Sequence, residues 1–264
     1  MRPSVSVVMG VHDDADWLDE TIDSVLAQTF RDFEFIIVDD GSTDSRIGEI
    51  LGACQQRDPR IRLIGKRNEG LTAALIDGCN AAEGEFICRI DVGDTMARQR
   101  LERQRRVLEG HRDCAFVSSC TEIHGPAWEP LWVNKGRCGS DRPLDILPAN
   151  ADEPLKDDVT HHGSVMFRRS DYVAAGGYRS EFYYGQDWDL WYRLAERGTF
   201  FLVREVLYHA RVLPHGIRMR NVERHRAVAE CSLGAIRSRP WGLRAYARLV
   251  QSLVLCKHRR RKLL

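Results

Sequence analysis

Ten residues, Phe35 to Asp44, constrain the fold of this chain more than any other stretch. They read Phe-Ile-Ile-Val-Asp-Asp-Gly-Ser-Thr-Asp: an apolar, mostly β-branched run, two adjacent carboxylates, a glycine and two small hydroxyl residues. An apolar run without alternation reads as a strand covered on both faces, the situation of a parallel sheet between helical layers. Open α/β sheets hold ligands beyond the carboxyl ends of their strands, so Asp39 and Asp40 stand where a base, a ribose or a cation would be met. The same residues also suit a helix start, with Ser42 or Thr43 as N-cap and both acids near the positive end of the helix dipole. Taken alone, the stretch supports either reading.

Its surroundings extend the pattern. Strand-like segments Val5–Met9, Phe33–Val38, Ile61–Ile64 and Glu85–Ile90 alternate with helical segments Ala15–Gln28, Ile47–Arg57 and Leu71–Ala82. Short strands alternating with helices predict a mostly parallel sheet with right-handed crossovers. The chain has neither a Gly-x-Gly-x-x-Gly nor a Gly-Lys-Ser/Thr loop, which removes support for the dinucleotide and P-loop readings. After a basic helix, Arg98–Glu109, the periodicity loosens. Ala115–Cys120 reads as a strand, and 121–160 is rich in Pro, Gly, Asp and Asn. Ser164–Phe167 and Phe200–Val203 read as strands around a helix at Asp187–Arg197. Residues 221–256 read as two helices broken near Pro240.

With 264 residues, 43% hydrophobic and 29% charged, the chain has the make-up of an ordinary globular protein with room for a sizeable core. The longest apolar runs are too short to span a bilayer, and the start shows no signal-peptide layout, so a cytoplasmic location is expected. The eight cysteines lack a Cys-x-x-Cys pair and there is no paired His spacing. They read as small buried hydrophobes, and neither a disulfide framework nor a structural zinc site is expected. The net charge of +1 hides an asymmetry: after Glu230 come nine Lys/Arg and no acids.

Two further acidic places could carry chemistry. Asp91 and Asp94 also end an apolar run (Phe86, Ile87, Ile90), and two carboxylates in a strand-end turn suit Mg²⁺ or Mn²⁺ completed by water and phosphate. A plain turn explains them as well. Asp187 and Asp189 lie at the mouth of a helix, where a carboxylate serves either as an N-cap or as a general base for an attacking hydroxyl. His161 and His162 precede a strand and could line an acceptor pocket. Lys66 and Arg67 follow a strand and could meet phosphate.

The order of these motifs resembles family 2 glycosyltransferases of the GT-A fold. The segments that carry the resemblance are Val5 to Asp13, Ala27 to Asp44 (Ala-Gln-Thr-Phe through Val-Asp-Asp-Gly-Ser-Thr-Asp), Asn68-Glu-Gly-Leu71, Ala81 to Ile87, Arg89-Ile-Asp-Val-Gly-Asp94, His161 to Arg168, Gly176-Gly-Tyr178 and Gln186 to Gly198. Together they cover about residues 4–217. The resemblance implies an α/β, GT-A, Rossmann-like, mostly parallel central sheet flanked by helices. It implies a glycosyltransferase domain over 1–220, with a nucleotide-sugar half at about 1–110 and an acceptor-side half at 111–220. A basic helical extension, 221–264, would follow.

Residue by residue, the resemblance implies that Asp39 meets the base of a nucleotide-sugar donor and that Asp40 supports the same pocket. His12 and Asp13 would lie against the nucleotide, and Arg67 would reach base or phosphate. Asp91 and Asp94 would hold Mn²⁺ or Mg²⁺, Asp187 would be the catalytic base of an inverting single displacement, and His161, His162 and Trp188 would face the acceptor. Three departures stand out. Gly93 occupies an acidic position of the metal motif. Gln186 replaces a Glu beside the base, which removes a like charge and makes Asp187 a more readily ionised, weaker base. The family's late histidine falls at Leu213, with His215 the nearest candidate metal contact.

The expected reaction moves a sugar, UDP-linked first of all, to a hydroxyl of a glycan or lipid-linked acceptor in cell-surface polysaccharide synthesis. Gly93 and Gln186 motivate a second hypothesis, a degenerate member that binds nucleotide or glycan without turnover. A nucleotidyltransferase is a third, but a Gly-rich, basic first loop is missing. The segment Trp241–Leu255 followed by Lys257-His-Arg-Arg-Arg-Lys262 suits either a packed helix with a solvated tail or peripheral contact with the anionic inner face of a membrane. Nucleic acid is not an expected partner, since no basic face recurs elsewhere.

Overall fold

In the computed structural model, residues 2–134, 144–147, 161–182, 185–195 and 197–212 are described. His215, the 221–264 extension with its basic tail, and much of the loose 121–160 region lie outside them. The elements run β1 (Val5–Val11), α1 (Ala15–Leu26), β2 (Phe33–Asp40), α2 (Ser45–Arg57), β3 (Ile61–Lys66), α3 (Leu71–Ala81), β4 (Phe86–Arg89), β5 (Thr95–Met96), α4 (Arg100–Gly110), β6 (Cys114–His124), β7 (Pro130–Asn134), β8 (Leu144–Leu147), β9 (Met166–Arg168), α5 (Arg169–Ala174), α6 (Gln186–Ala195) and β10 (Thr199–Arg211).

One mixed sheet holds them together, in the order β3-β2-β1-β4-β9-β6-β10-β5, with β7 on β6 and β8 on β10. The first four strands are parallel, as the alternating pattern predicts. Beyond β4 the sheet turns mixed: β9 is antiparallel to β4 and β6, while β10 runs parallel to β6. The expected short strands at Ala115–Cys120 and Phe200–Val203 are the cores of much longer ones.

The missing alternation of β2 has a direct structural reason. Phe35 and Ile37 enter the cluster built with Leu18 and Ile22 of α1 and Ile47 and Leu51 of α2. Ile36 and Val38, facing the other way, pack with Leu75 and Cys79 of α3. All four β2 residues are fully buried, each contributing roughly 1.5–3 kcal/mol of apolar transfer. Helix α3 approaches the sheet so closely at Gly78 that an added Cβ would lie 2.5 Å from a Val8 methyl. The five described cysteines, Cys54, Cys79, Cys88, Cys114 and Cys120, are buried thiols.

Candidate functional site

The four parallel strands end side by side, and their following loops form one rim. Register places Val11 beside Asp39 and Asp39 beside Gly65, so the ends of β1, β2 and β3 are neighbours. The loops are latched by carboxylates that accept backbone N–H groups. Asp13, held at a left-handed φ of 56°, accepts from Thr43 N (2.6 Å), Asp44 N (2.9 Å) and Thr43 Oγ1 (2.9 Å). These bonds, the Asp44 N–H above all, hold its carboxyl below the ordinary range despite some burial. Asp40 is buried and accepts from Glu69 N (3.0 Å) and Gly70 N (2.7 Å), ahead of α3. An anion at a helix start also meets the positive end of the helix dipole.

Asp39 is less committed. One oxygen accepts from Ser42 N at 2.9 Å, and the side chain remains partly accessible at the rim. The alternative reading of this stretch as a helix cap is corrected in detail: the N-cap of α2 is Asp44, whose side chain accepts from Arg46 N, not Ser42 or Thr43. His12 accepts from Asn68 Nδ2 at 2.9 Å, which ties the first loop to the third. Arg67 stands in solvent, paired with Glu69 at 2.9 Å. A pair so exposed contributes little to stability and can be exchanged for a phosphate. Lys66 bridges Asp77 (2.6 Å) and Glu69 (2.9 Å) instead.

Asp91 and Asp94 separate into different roles. Arg89, buried at the end of β4, places Nη2 2.6 Å from Asp91 Oδ1. Burial pushes Asp91 upward, but the charge and hydrogen bond of Arg89 outweigh it and hold the carboxyl below its usual range. Asp94 is spent inside the fold: Tyr208 donates its hydroxyl to one oxygen (2.6 Å), and Arg211 N–H donates to the other (2.8 Å). Burial, then the charge of Asp91, pushes Asp94 up to about 7. Between them, Gly93 has φ 89° and its N–H donates to Thr21 Oγ1. The turn therefore offers a cation Asp91 first, whereas Asp94 anchors β10. One carboxylate with water and a diphosphate is a common donor set for Mg²⁺.

The residues expected to face an acceptor come near the same turn. A 3₁₀ turn, His162–Ser164, precedes β9, which pairs with β4. His161 and His162 come close enough for their charge to act on Asp91. His161 lies against the Tyr208 ring, and His162 Nε2 is 2.9 Å from the Tyr178 hydroxyl. Burial raises the Tyr178 phenol, with the charge of Asp187 adding to the rise. That interaction brings the mouth of α6 to the same wall. Within α6 the two acids divide: Asp189 is buried and held by Arg193 Nε (3.0 Å) and Nη2 (2.5 Å), while Asp187 is only half-buried. The Trp188 side chain lies outside the described residues.

Tyr208 escaped sequence reasoning, as did a cluster of Glu122, His124 and His209, and Arg211 entered it only as the arginine two residues before Leu213. No local motif marks them, and only the pairing of β6 with β10 joins 122–124 to 209–211. Among the described residues, no helix is long and apolar enough to cross a membrane.

Comparison with known proteins bears on the family and the fold. The model of the family described as Glycosyl transferase family 2 matches residues 6–173. The putative glycosyltransferase EpsE of Bacillus subtilis (strain 168) is 33% identical over 215 residues, covering 79% of this chain and 73% of EpsE. The uncharacterized glycosyltransferase MJ1057 of Methanocaldococcus jannaschii is 30% identical over 216 residues, covering 80% of this chain and 71% of the relative. Among solved structures, S. aureus TarS 1–349 in complex with UDP-GlcNAc superposes with TM-score 0.71 at 15% identity, over 96% of this chain and 70% of TarS 1–349. At that identity the likeness speaks to the fold, which is the expected GT-A architecture.

Proposed function

The chain belongs to glycosyl transferase family 2, and from that premise we propose an inverting glycosyltransferase that moves a sugar from a nucleoside-diphosphate sugar to an acceptor hydroxyl. The observation that supports this best is that Tyr178 feels the charges of both Arg89, at the end of β4, and half-buried Asp187, at the mouth of α6, which brings Asp187 near the turn of Asp91. A UDP-sugar is the favoured donor, since solved TarS complexes of the same fold hold UDP and UDP-GlcNAc. A glycan or lipid-linked hydroxyl in cell-surface polysaccharide synthesis is the favoured acceptor class, met at the inner face of the membrane through the basic tail. The division into a donor half (1–110), an acceptor half (111–220) and a basic extension (221–264) belongs to the same proposal.

In this reading Asp39 and His12 receive the nucleoside, with Asp13 and Asp40 holding their loops in place. Arg67 is positioned to exchange Glu69 for a donor phosphate. Asp91 would hold Mg²⁺ or Mn²⁺ together with the diphosphate, and that ion would supply charge neutralisation of the leaving group. Asp187 takes the proton of the acceptor hydroxyl as it attacks the anomeric carbon from the side opposite the diphosphate. The bond to the new oxygen forms as the bond to the diphosphate breaks, which inverts the configuration. His161 and His162 line the wall between the two reactants.

The test is Asp187→Asn assayed for transfer and, separately, for nucleotide binding. Loss of transfer by about 10³-fold with binding retained supports the assignment, in line with the usual weight of a general base. Transfer at a normal rate would exclude Asp187 as the base. A second reading, nucleotide binding without turnover, draws on Gly93 and on the two engaged oxygens of Asp94. Calorimetric binding of nucleoside diphosphates without product across a donor panel would favour it.

A further inference from the structure

Glu122 and His124 of β6 and His209 of β10 meet outside the site just described. Glu122 Oε2 lies 3.1 Å from His124 Nε2 and 3.1 Å from His209 Nδ1, and the two ring nitrogens are 3.4 Å apart. His209 follows Tyr208 directly, and successive residues of a strand face opposite sides of a sheet. Tyr208 reaches Asp94, so the cluster stands on the other face from the donor turn.

We propose that Glu122, His124 and His209 bind one divalent transition-metal ion of the Zn²⁺ class. The first argument is the proton inventory. His124 Nδ1 is 3.1 Å from the carbonyl oxygen of Trp128. A carbonyl only accepts, so this nitrogen carries the hydrogen. On a neutral ring the other nitrogen, Nε2, then presents a lone pair to a carboxylate oxygen. Two acceptors at 3.1 Å repel one another unless a cation or an extra proton lies between them. A ring N–H donated to a backbone carbonyl is also the usual outer support of a metal-ligating histidine.

The second argument is size. Zn²⁺ takes imidazole nitrogen and carboxylate oxygen at about 2.0–2.1 Å in a tetrahedron, whose edges are then about 3.3 Å. The observed triangle, 3.1, 3.1 and 3.4 Å, has that edge length. Two imidazoles and one carboxylate select Zn²⁺-like ions over Mg²⁺ or Ca²⁺, which prefer oxygen throughout. His124 is nearly buried, while Glu122 and His209 keep 29% and 27% side-chain exposure, which leaves an entry path and an open fourth position.

The third argument is the built surround. Trp128 adopts φ 66°, an uncommon conformation for a bulky residue. It stacks on the His124 ring (4.3 Å, 10°) and aims its carbonyl at Nδ1. Trp128 also carries the Arg211 guanidinium over its ring at 4.2 Å. The ion would thus clip β6 to β10 beside the residue whose N–H holds Asp94.

Chelator-stripped full-length protein titrated with Co²⁺, and then with Zn²⁺, tests this. The expected result is one Co²⁺ per chain with the strong visible absorption of a low-coordinate ion, displaced by one Zn²⁺. His209→Gln and Glu122→Gln should each weaken binding at least about tenfold, and Asp91→Asn should leave the spectrum unchanged. Far-UV circular dichroism of the metal-free variants checks folding; if His209→Gln does not fold, the partly exposed, nearly isosteric Glu122→Gln is the variant read. Only the weak spectrum of six-coordinate Co²⁺, wild-type affinity in the folded variants, or loss of the signal in Asp91→Asn would each overturn the proposal.

Discussion

The loops after β1 and β2 and the acids after β4 and in α6 use carboxylates in different ways. At the rim, Asp13, Asp39 and Asp40 accept backbone N–H groups from loops about 30 residues away or nearer. After β4 and in α6, Asp91, Asp94 and Asp189 are held largely by side chains: Arg89 and Arg193 from two and four residues away, Tyr208 from 114 residues away. Backbone donors are always present once the strands form, so the rim is assembled by the parallel sheet itself. The place of Asp94 depends on β10 arriving beside β6 and β5. The rim is thus a property of the parallel sheet, and the place of Asp94 a property of long-range assembly. Half-buried Asp187 is the carboxylate proposed for the chemistry. Its change to Asn should therefore have the largest effect of any here, about 10³-fold in transfer with the melting temperature little altered; a stability loss equal to that of a buried-acid variant would blur the division.

Asp94 tests the long-range contacts through pH. An acid whose folded-state pKa lies above its unfolded value binds its proton more tightly when folded, so the stability it contributes is greatest when protonated. With an ordinary value of 3.8 raised to about 7, that contribution is full below about pH 4 and is lost as pH rises through about 7. Asp91, held low, is ionised across pH 5–8 and adds no slope there. In metal-free buffer, wild type should lose roughly 2–3 kcal/mol relative to Asp94→Asn between pH 5 and 8, read from denaturant midpoints. Parallel curves for the two proteins would show that Asp94 is ionised throughout.

The same contrast explains what the sequence made legible. The β2 run and its acids could be read because both covering layers act on adjacent residues, Phe35 and Ile37 one way, Ile36 and Val38 the other. The rim follows from the same local logic, since strand ends and turn residues are coded within a few positions. β5, β7 and α5 were not foreseen, being short or held by partners remote in sequence. Tyr208 reads as one more apolar residue of a strand until β10 is aligned with β5 and β6. The Glu-x-His spacing at 122 and 124 carries no meaning without His209 across the ladder. The expectation against a structural zinc site rested on cysteines and paired histidine spacing, and it could not weigh ligands gathered by strand pairing.

Gly93 sharpens the question of the metal turn. Restoring an acid there, Gly93→Asp, looks like a repair of the family's motif. Gly93 is buried at φ 89°, where a side chain strains the backbone and a new carboxylate would sit beside Asp91 and Asp94. The variant should lose roughly 1–3 kcal/mol without gaining affinity for Mn²⁺. Tighter Mn²⁺ binding in a stable Gly93→Asp protein would show that the turn is a metal loop missing one ligand, and would move Asp94 back toward the ion.

Asp40 gives the smallest effect and the closest test of the rim. Its two oxygens hold Glu69 N and Gly70 N, so Asp40→Ala leaves two donors at the start of α3 without their partner. Losing a side-chain acceptor at a helix start costs about 0.5–2 kcal/mol. The loop it releases carries Arg67 and Asn68, the latter bonded to His12. Donor binding should therefore weaken several-fold, while the rate with saturating donor stays near that of wild type, because Asp187 is anchored in the other half. Steady-state kinetics read this directly as a rise in donor KM at nearly constant kcat. A fall in kcat at unchanged KM would mean that the rim loops act on the chemical step, and that the two halves of the site are not assembled as independently as their hydrogen bonds indicate.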